Sequence, residues 1–189
     1  MTPGKDFQLT ADGIQTDISD YGSNAGYERT DVQPTKSVKA IRSDFMMVTS
    51  EWLPRIAFEC EWPIVFDHCF QRVCYDMAFG DEWTGHVDGS PAYKHIDTWR
   101  LVRALRQAES MLYRGEPQVR WLNARSLHYR GELDCYPHQL PVVCAGCGEE
   151  FEGGSDDDER YSPIAKWCPF CEGQLMPDYS KTDIHHQFG

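Results

Sequence analysis

Large apolar residues are sparse over residues 1–45 and frequent over residues 52–129, and the second stretch carries helical periodicity. Phe66, Phe70, Val73 and Met77 recur at steps of three and four after Pro63, which suits the first turn of a helix, and Gly80 supplies a stop. Asp97 or Thr98 can cap a second helix with the apolar face Leu101, Val102, Leu105, Ala108, Met111 and Leu112, ending at Gly115. Pro117 opens a third helix with a weaker stripe, Val119, Leu122 and Leu127, and Gly131 as its stop. The pattern predicts a mainly α protein with a three-helix core, into which Trp52, Phe66, Trp99 and Trp121 bring aromatic bulk. Two short strand-like stretches, residues 141–143 and 164–167, follow.

Residues 1–45 are polar and turn-rich, with Pro3, Gly4, Gly13, Gly22, Gly26 and Pro34 spread through them. They read as a flexible or extended N-terminal arm of the kind that orders when laid on a partner. The loop over residues 81–93, with Trp83, Gly85, Gly89 and Pro91, is either a binding surface or a plain connection.

Each strand-like stretch runs into a C-x2-C turn: Cys144-Ala-Gly-Cys147 and Cys168-Pro-Phe-Cys171. Such a turn puts two thiolates on one side of a tight loop, and two turns brought opposite make the tetrahedron that Zn2+ accepts. Gly146 and Gly148 provide the backbone freedom a knuckle needs, and Pro169 stiffens the second turn. The alternatives are a pair of disulfides or four unrelated buried thiols. With four sulfur ligands no position is open for water or substrate, so the expected zinc is structural. The apolar content of this region, Val142, Val143, Phe151, Trp167, Phe170 and Leu175, is too small to hold a fold without metal.

Residues of about 140–177 thus resemble the zinc-ribbon family of small β-rich modules, a resemblance that implies a fold element and no reaction. The chain then divides into an arm (1–45), a helical domain (46–135), a zinc ribbon (136–178) and a tail (179–189). A second resemblance rests on Phe66-Asp67-His68-Cys69-Phe70-Gln71-Arg72, Trp83, Pro91-Ala92-Tyr93, Leu122-Asn123 and Arg130-Gly131. In these residues the stretch 60–131 resembles an uncharacterised helical domain of phage and archaeal-virus genomes. That likeness implies a viral origin and brings no catalytic residue with it.

Charge changes the picture of partners. The net charge is −12, with 17 Asp and 13 Glu against 12 Arg and 6 Lys, a skew met in halophilic proteins and also in ordinary acidic ones. Residues 93–131 oppose it: eight basic residues against three acidic ones give a local +5. Arg100, Arg103 and Arg114 line one face of the second helix and are the candidate contact for nucleic acid or for an acidic protein, the plain alternative being a solvated face. Glu149, Glu150, Glu152 and residues 156–159 make the region between the cysteine pairs acidic, which disfavours phosphate there.

Other candidates carry less. Cys60, His68, Cys69 and Cys74 could form a second metal site, yet cysteines are often simply buried. Cys135 and His138 have ligand-like spacing, and His185-His186 reads as an exposed tail. No phosphate-binding loop, dinucleotide fingerprint or nucleophile elbow occurs, so no catalytic residue is assigned. With no long apolar run and no leader pattern, the chain is expected in a reducing cytoplasm or a virion, away from membranes. The expected role is a non-enzymatic interaction or assembly protein bound to other protein chains. An accessory nucleic-acid factor is the second reading, and an enzyme with a site in the helical domain the third.

Overall fold

The computed structural model describes residues 36–153 and 167–178. Within them the protein is mainly helical, with a small antiparallel sheet near the C-terminus. Residues 1–35 of the expected arm, most of the acidic loop between the cysteine pairs, residues 164–166 of the second strand-like stretch and the tail holding His185 and His186 lie outside the described residues.

The first helix, α1 (Val38–Met47), is capped by Ser37, whose Oγ accepts the Ala40 N–H at 3.2 Å. It corrects the arm boundary, because Ile41 and Phe45 are buried in the main core and residues 38–45 therefore belong to the helical body. The helix continues through a π-helical turn, Val48–Trp52, into α2 (Leu53–Glu59). A row of buried residues at steps of four, Ile41, Phe45, Thr49, Leu53 and Ala57, explains the wide turn. In a regular α-helix each such step drifts by about 40°, or about 160° along the row, so the row would leave the core face. The π turn takes up part of that drift. Pro54 fixes its place, since a proline in a regular helix would clash with the carbonyl of Ser50. Thr49 interrupts the apolar pattern but satisfies its hydroxyl on the Phe45 carbonyl at 2.8 Å.

Helix α3 (Asp67–Phe79) starts later than Pro63 suggests: Trp62 and Ile64 are buried from the non-helical segment before it, and Phe66 is the N-cap residue. Gly80, with φ 76°, ends it in the left-handed conformation as expected. From Val73 to Ala78 every α3 residue is buried, including Asp76. A short helical turn, α4 (Ala92–His95), precedes α5 (Thr98–Arg114), which Asp97 caps by accepting the Arg100 N–H at 2.9 Å. Helix α6 (Glu116–Tyr129) follows across Gly115. Two expected core aromatics lie outside: Phe66 and Trp99 are about half exposed, because helix packing leaves their positions on the rim.

One buried polar network ties α3 to the end of α6. Arg130 holds Asp76 with two hydrogen bonds, Nε to Oδ2 at 2.8 Å and Nη2 to Oδ1 at 3.1 Å. Ser126 Oγ donates to Asp76 Oδ2 at 2.6 Å, and the Trp83 N–H donates to Oδ1 at 3.0 Å. A wholly buried carboxylate is tolerable only with such complete pairing.

The sheet has the order β2-β1-β3, all antiparallel, with β1 (Val142–Cys144) central between β2 (Glu150–Phe151) and β3 (Leu175–Pro177). Val142 pairs with Phe151 on one side and Pro177 on the other. Trp121 of α6 donates its indole N–H to the Leu175 carbonyl at 3.0 Å, which seats β3 on the helix.

Candidate metal centre

Two loops of the same hydrogen-bond pattern build the site. In the first, Cys144 accepts the Gly148 N–H on its carbonyl at 2.9 Å and donates its own N–H to Glu149 at 2.9 Å. In the second, Cys168 accepts the Glu172 N–H at 2.9 Å and donates to Gly173 at 2.7 Å. The second loop is flanked by a bridge between Trp167 and Gln174, so each cysteine pair sits at a hairpin tip.

The four sulfur atoms converge, all within 4.8 Å of one another. Cys144 Sγ lies 3.5 Å from Cys171 Sγ, and Cys147 Sγ 3.7 Å from Cys168 Sγ. Four sulfurs on a tetrahedral metal at about 2.3 Å stand about 3.8 Å apart, whereas a disulfide would need about 2.05 Å. The spacing fits a shared cation, and the expected disulfide alternative is set aside, since all eight cysteines are free. Cys144 and Cys168 are buried while Cys147 and Cys171 are exposed, so the site is anchored from below and open to solvent on the knuckle side.

Backbone donors prepare it for negative charge. Cys144 Sγ accepts from the Gly146 and Cys147 N–H groups at 3.3 and 3.5 Å, and Cys168 Sγ from the Phe170 N–H at 3.4 Å. The Cys147 N–H is foremost in drawing the Cys144 thiol down to about 6. Cys147 is pushed up to about 12: the Glu149 N–H works to lower it and is outweighed by the Cys171 thiol, burial and the thiols of Cys144 and Cys168. Four thiols this close cannot all ionise against one another, and a cation among them removes the conflict.

The glycines act differently from the sequence expectation. Gly148 has the expected positive φ of 74°, but Gly146 serves close approach: a Cβ there would lie 3.3 Å from Cys171 Sγ and 3.4 Å from Gly173 Cα. Gly173, which the sequence reading did not single out, is tighter still, with a Cβ at 2.8 Å from Cys144 Sγ and 3.1 Å from Gly146 Cα. The two loops therefore touch backbone to backbone. Apolar support is slight: Cys144, Cys168 and Leu175 form the buried cluster, with Val142 and Phe151 partly buried against it, while Trp167 and Phe170 are exposed.

The remaining candidates stay apart. Cys60 is exposed, Cys69 partly buried and Cys74 wholly buried, and burial pushes the Cys69 and Cys74 thiols up, away from ligand behaviour. Among the described residues no second group of three ligands closes, either there or at Cys135 and His138. On α5, Arg100 pairs with Asp97 at 2.7 Å and lies over the Phe79 ring at 4.5 Å. Arg103 lies over Trp99 at 4.8 Å, and Arg114 is exposed in the last turn. No helix among the described residues is long and apolar enough to cross a membrane.

Comparison with protein-family models, curated proteins and solved structures finds no match, and the likeness of residues 60–131 to a viral domain has no family model behind it. The chemistry of this chain is carried by its own geometry, a four-cysteine centre able to hold one metal ion.

Proposed function

We propose that this chain is a zinc-binding, non-enzymatic assembly protein. In this reading one structural Zn2+ on Cys144, Cys147, Cys168 and Cys171 holds the ribbon on α6, and exposed surfaces meet other protein chains. The closure of four thiols on one point carries the proposal, because such a set leaves no place for a substrate and gives a small module its stability. Exposed aromatics on the same module, Phe170 and Trp167, support a contact role. A virion is the setting that the resemblance of residues 60–131 implies. The test is elemental analysis of the purified chain with the native mass of the species that carries it in a chelator-free extract. One zinc per chain in a large particle of fixed stoichiometry is expected. A red, iron-loaded protein would replace zinc by iron, and a free monomer in the extract would overturn assembly.

A second reading, an accessory nucleic-acid factor, is favoured by the local +5 charge and by Arg100 and Arg103 beside the half-exposed Trp99, with Arg114 at the far end of the same helix. It requires an affinity that falls steeply with salt, and Arg100→Glu with Arg103→Glu should abolish it. An enzymatic site in the helical domain has less support, since the buried carboxylate of Asp76 is engaged by Arg130, Ser126 and the Trp83 N–H.

A further inference from the structure

Two exposed patches of opposite character lie on this one chain. On the ribbon, Phe170 is 74 % exposed and its ring stacks on Phe151 at 6.1 Å between centroids. Beside the pair, Pro141, Phe151, Glu152 and Gly153 help line a hollow of about 410 Å³. Glu149 and Glu152, each within two residues of Phe151, and Glu172, two residues past Phe170, are all exposed, so this part of the ribbon carries negative charge close in the chain to its exposed ring. An indole and guanidinium groups form the other patch, on α5. Trp99 is 50 % exposed, Arg103 covers part of its ring, and the only hydrogen bond Arg103 makes among the described residues is a long one, 3.5 Å, to the Met77 carbonyl. Arg114 extends the same face.

We infer that the aromatic, acidic face of the ribbon docks on the Arg103 and Trp99 face of α5 in a second copy of this chain. The inference rests on the assembly reading above and names its partner. Charge complementarity selects the occupant. Carboxylates close in the chain to Phe170 repel phosphate and seek guanidinium, and an arginine face with an open indole seeks carboxylate and aromatic edges. Each patch finds its complement on the same molecule in equal number. A chain of net charge −12 repels its copies unless unlike faces meet, so this pairing also overcomes the general obstacle to self-association. Two copies can pair both faces reciprocally and close as a two-fold dimer, or engage one face of each kind and leave the other free, in which case growth continues to a ring or a filament.

Sedimentation of the zinc-loaded full chain, over a range of concentration and salt, tests this. The expected result is a mass that rises with concentration and falls back with added salt. Arg103→Ser with Arg114→Ser, or the charge reversal Glu152→Arg, should each give a monomer with unchanged zinc content and helical circular dichroism. Mixing the two variants should give a dimer and nothing larger, since one intact ribbon face and one intact α5 face remain. A wild-type chain monomeric under all conditions, or association that survives both variants, overturns the inference. If the isolated chain is monomeric while the chain in its source extract sits in a large particle with other proteins, the inference fails and the assembly reading stands. If it is monomeric in both, the two fail together.

Discussion

Gly148 and Glu172 occupy the same place in two copies of one loop. Each follows the second cysteine of its pair, each donates its N–H to the carbonyl of the first cysteine, and each has a left-handed backbone, with φ of 74° and 58°. Glycine adopts that conformation freely, whereas a residue with a Cβ is strained there by about 1 kcal/mol. Glu172 therefore keeps a strain that Gly148 avoids. Replacing Glu172 by glycine should raise ribbon stability by about 0.5–1 kcal/mol, the relief being partly offset by the freer unfolded chain. Chelator titration of the two proteins reads the difference directly, and tighter metal retention by Glu172→Gly is the expected outcome.

Gly173→Ala should do the opposite. The added methyl would meet Cys144 Sγ at 2.8 Å and the Gly146 backbone at 3.1 Å, and neither neighbour can rotate away. The cost expected for such overpacking is about 1–3 kcal/mol, together with partial loss of bound metal. Gly146→Ala, whose nearest contact would be 3.3 Å, should lie between this variant and the wild type. Metal content after dialysis against a weak chelator ranks the three.

The Asp76 and Arg130 pair offers a test in the helical domain. Removing one partner leaves a buried group of one sign uncompensated, so Arg130→Met should destabilise by about 3–5 kcal/mol. The double variant Asp76→Leu with Arg130→Met removes both charges and should recover much of that loss. Urea unfolding followed by helical circular dichroism supplies the cycle, and additive losses would show that the pair is not coupled.

Asp97 gives a pH dependence of defined sign. Burial works to raise its carboxyl, but the Arg100 N–H and then the Arg100 guanidinium outweigh it and hold the group below its ordinary 3.8. A carboxyl lowered in the folded state contributes fully above the unfolded value and loses that contribution as pH falls through the folded one. Asp97→Asn keeps an acceptor for the cap without the charge, so its deficit should be visible at pH 6 and shrink as the pH falls below 3.8. Asp97→Ala should cost about 1 kcal/mol at pH 6. Thermal unfolding of the three proteins across that range checks both statements.

How much of this could be read from the residues depended on distance along the chain. The cysteine pairs, the Asp97 cap and the Gly80 stop are local signals, and each appears where the pattern put it. The helical run from Val38 to Glu59 was hidden because its buried row steps by four and includes Thr49, so no 3.6-residue period shows. Asp76 was hidden for another reason. Its partner Arg130 lies 54 residues away and past the end of α6, and a carboxylate within a helix reads as a solvent-facing residue until the fold encloses it. At the metal centre the ligands were legible, while the role of Gly173 was not, since a close approach between two loops has no signature in either loop alone.

The bond from Trp121 to Leu175 joins a side chain of the helical body to a main-chain carbonyl of the ribbon. Its specificity is written on one side only. Any segment that keeps two knuckles and a returning strand presents the same carbonyl, whatever side chains it displays outward. The outward side chains of the ribbon take no part in this bond, so they can change while the contact that seats β3 on α6 is kept.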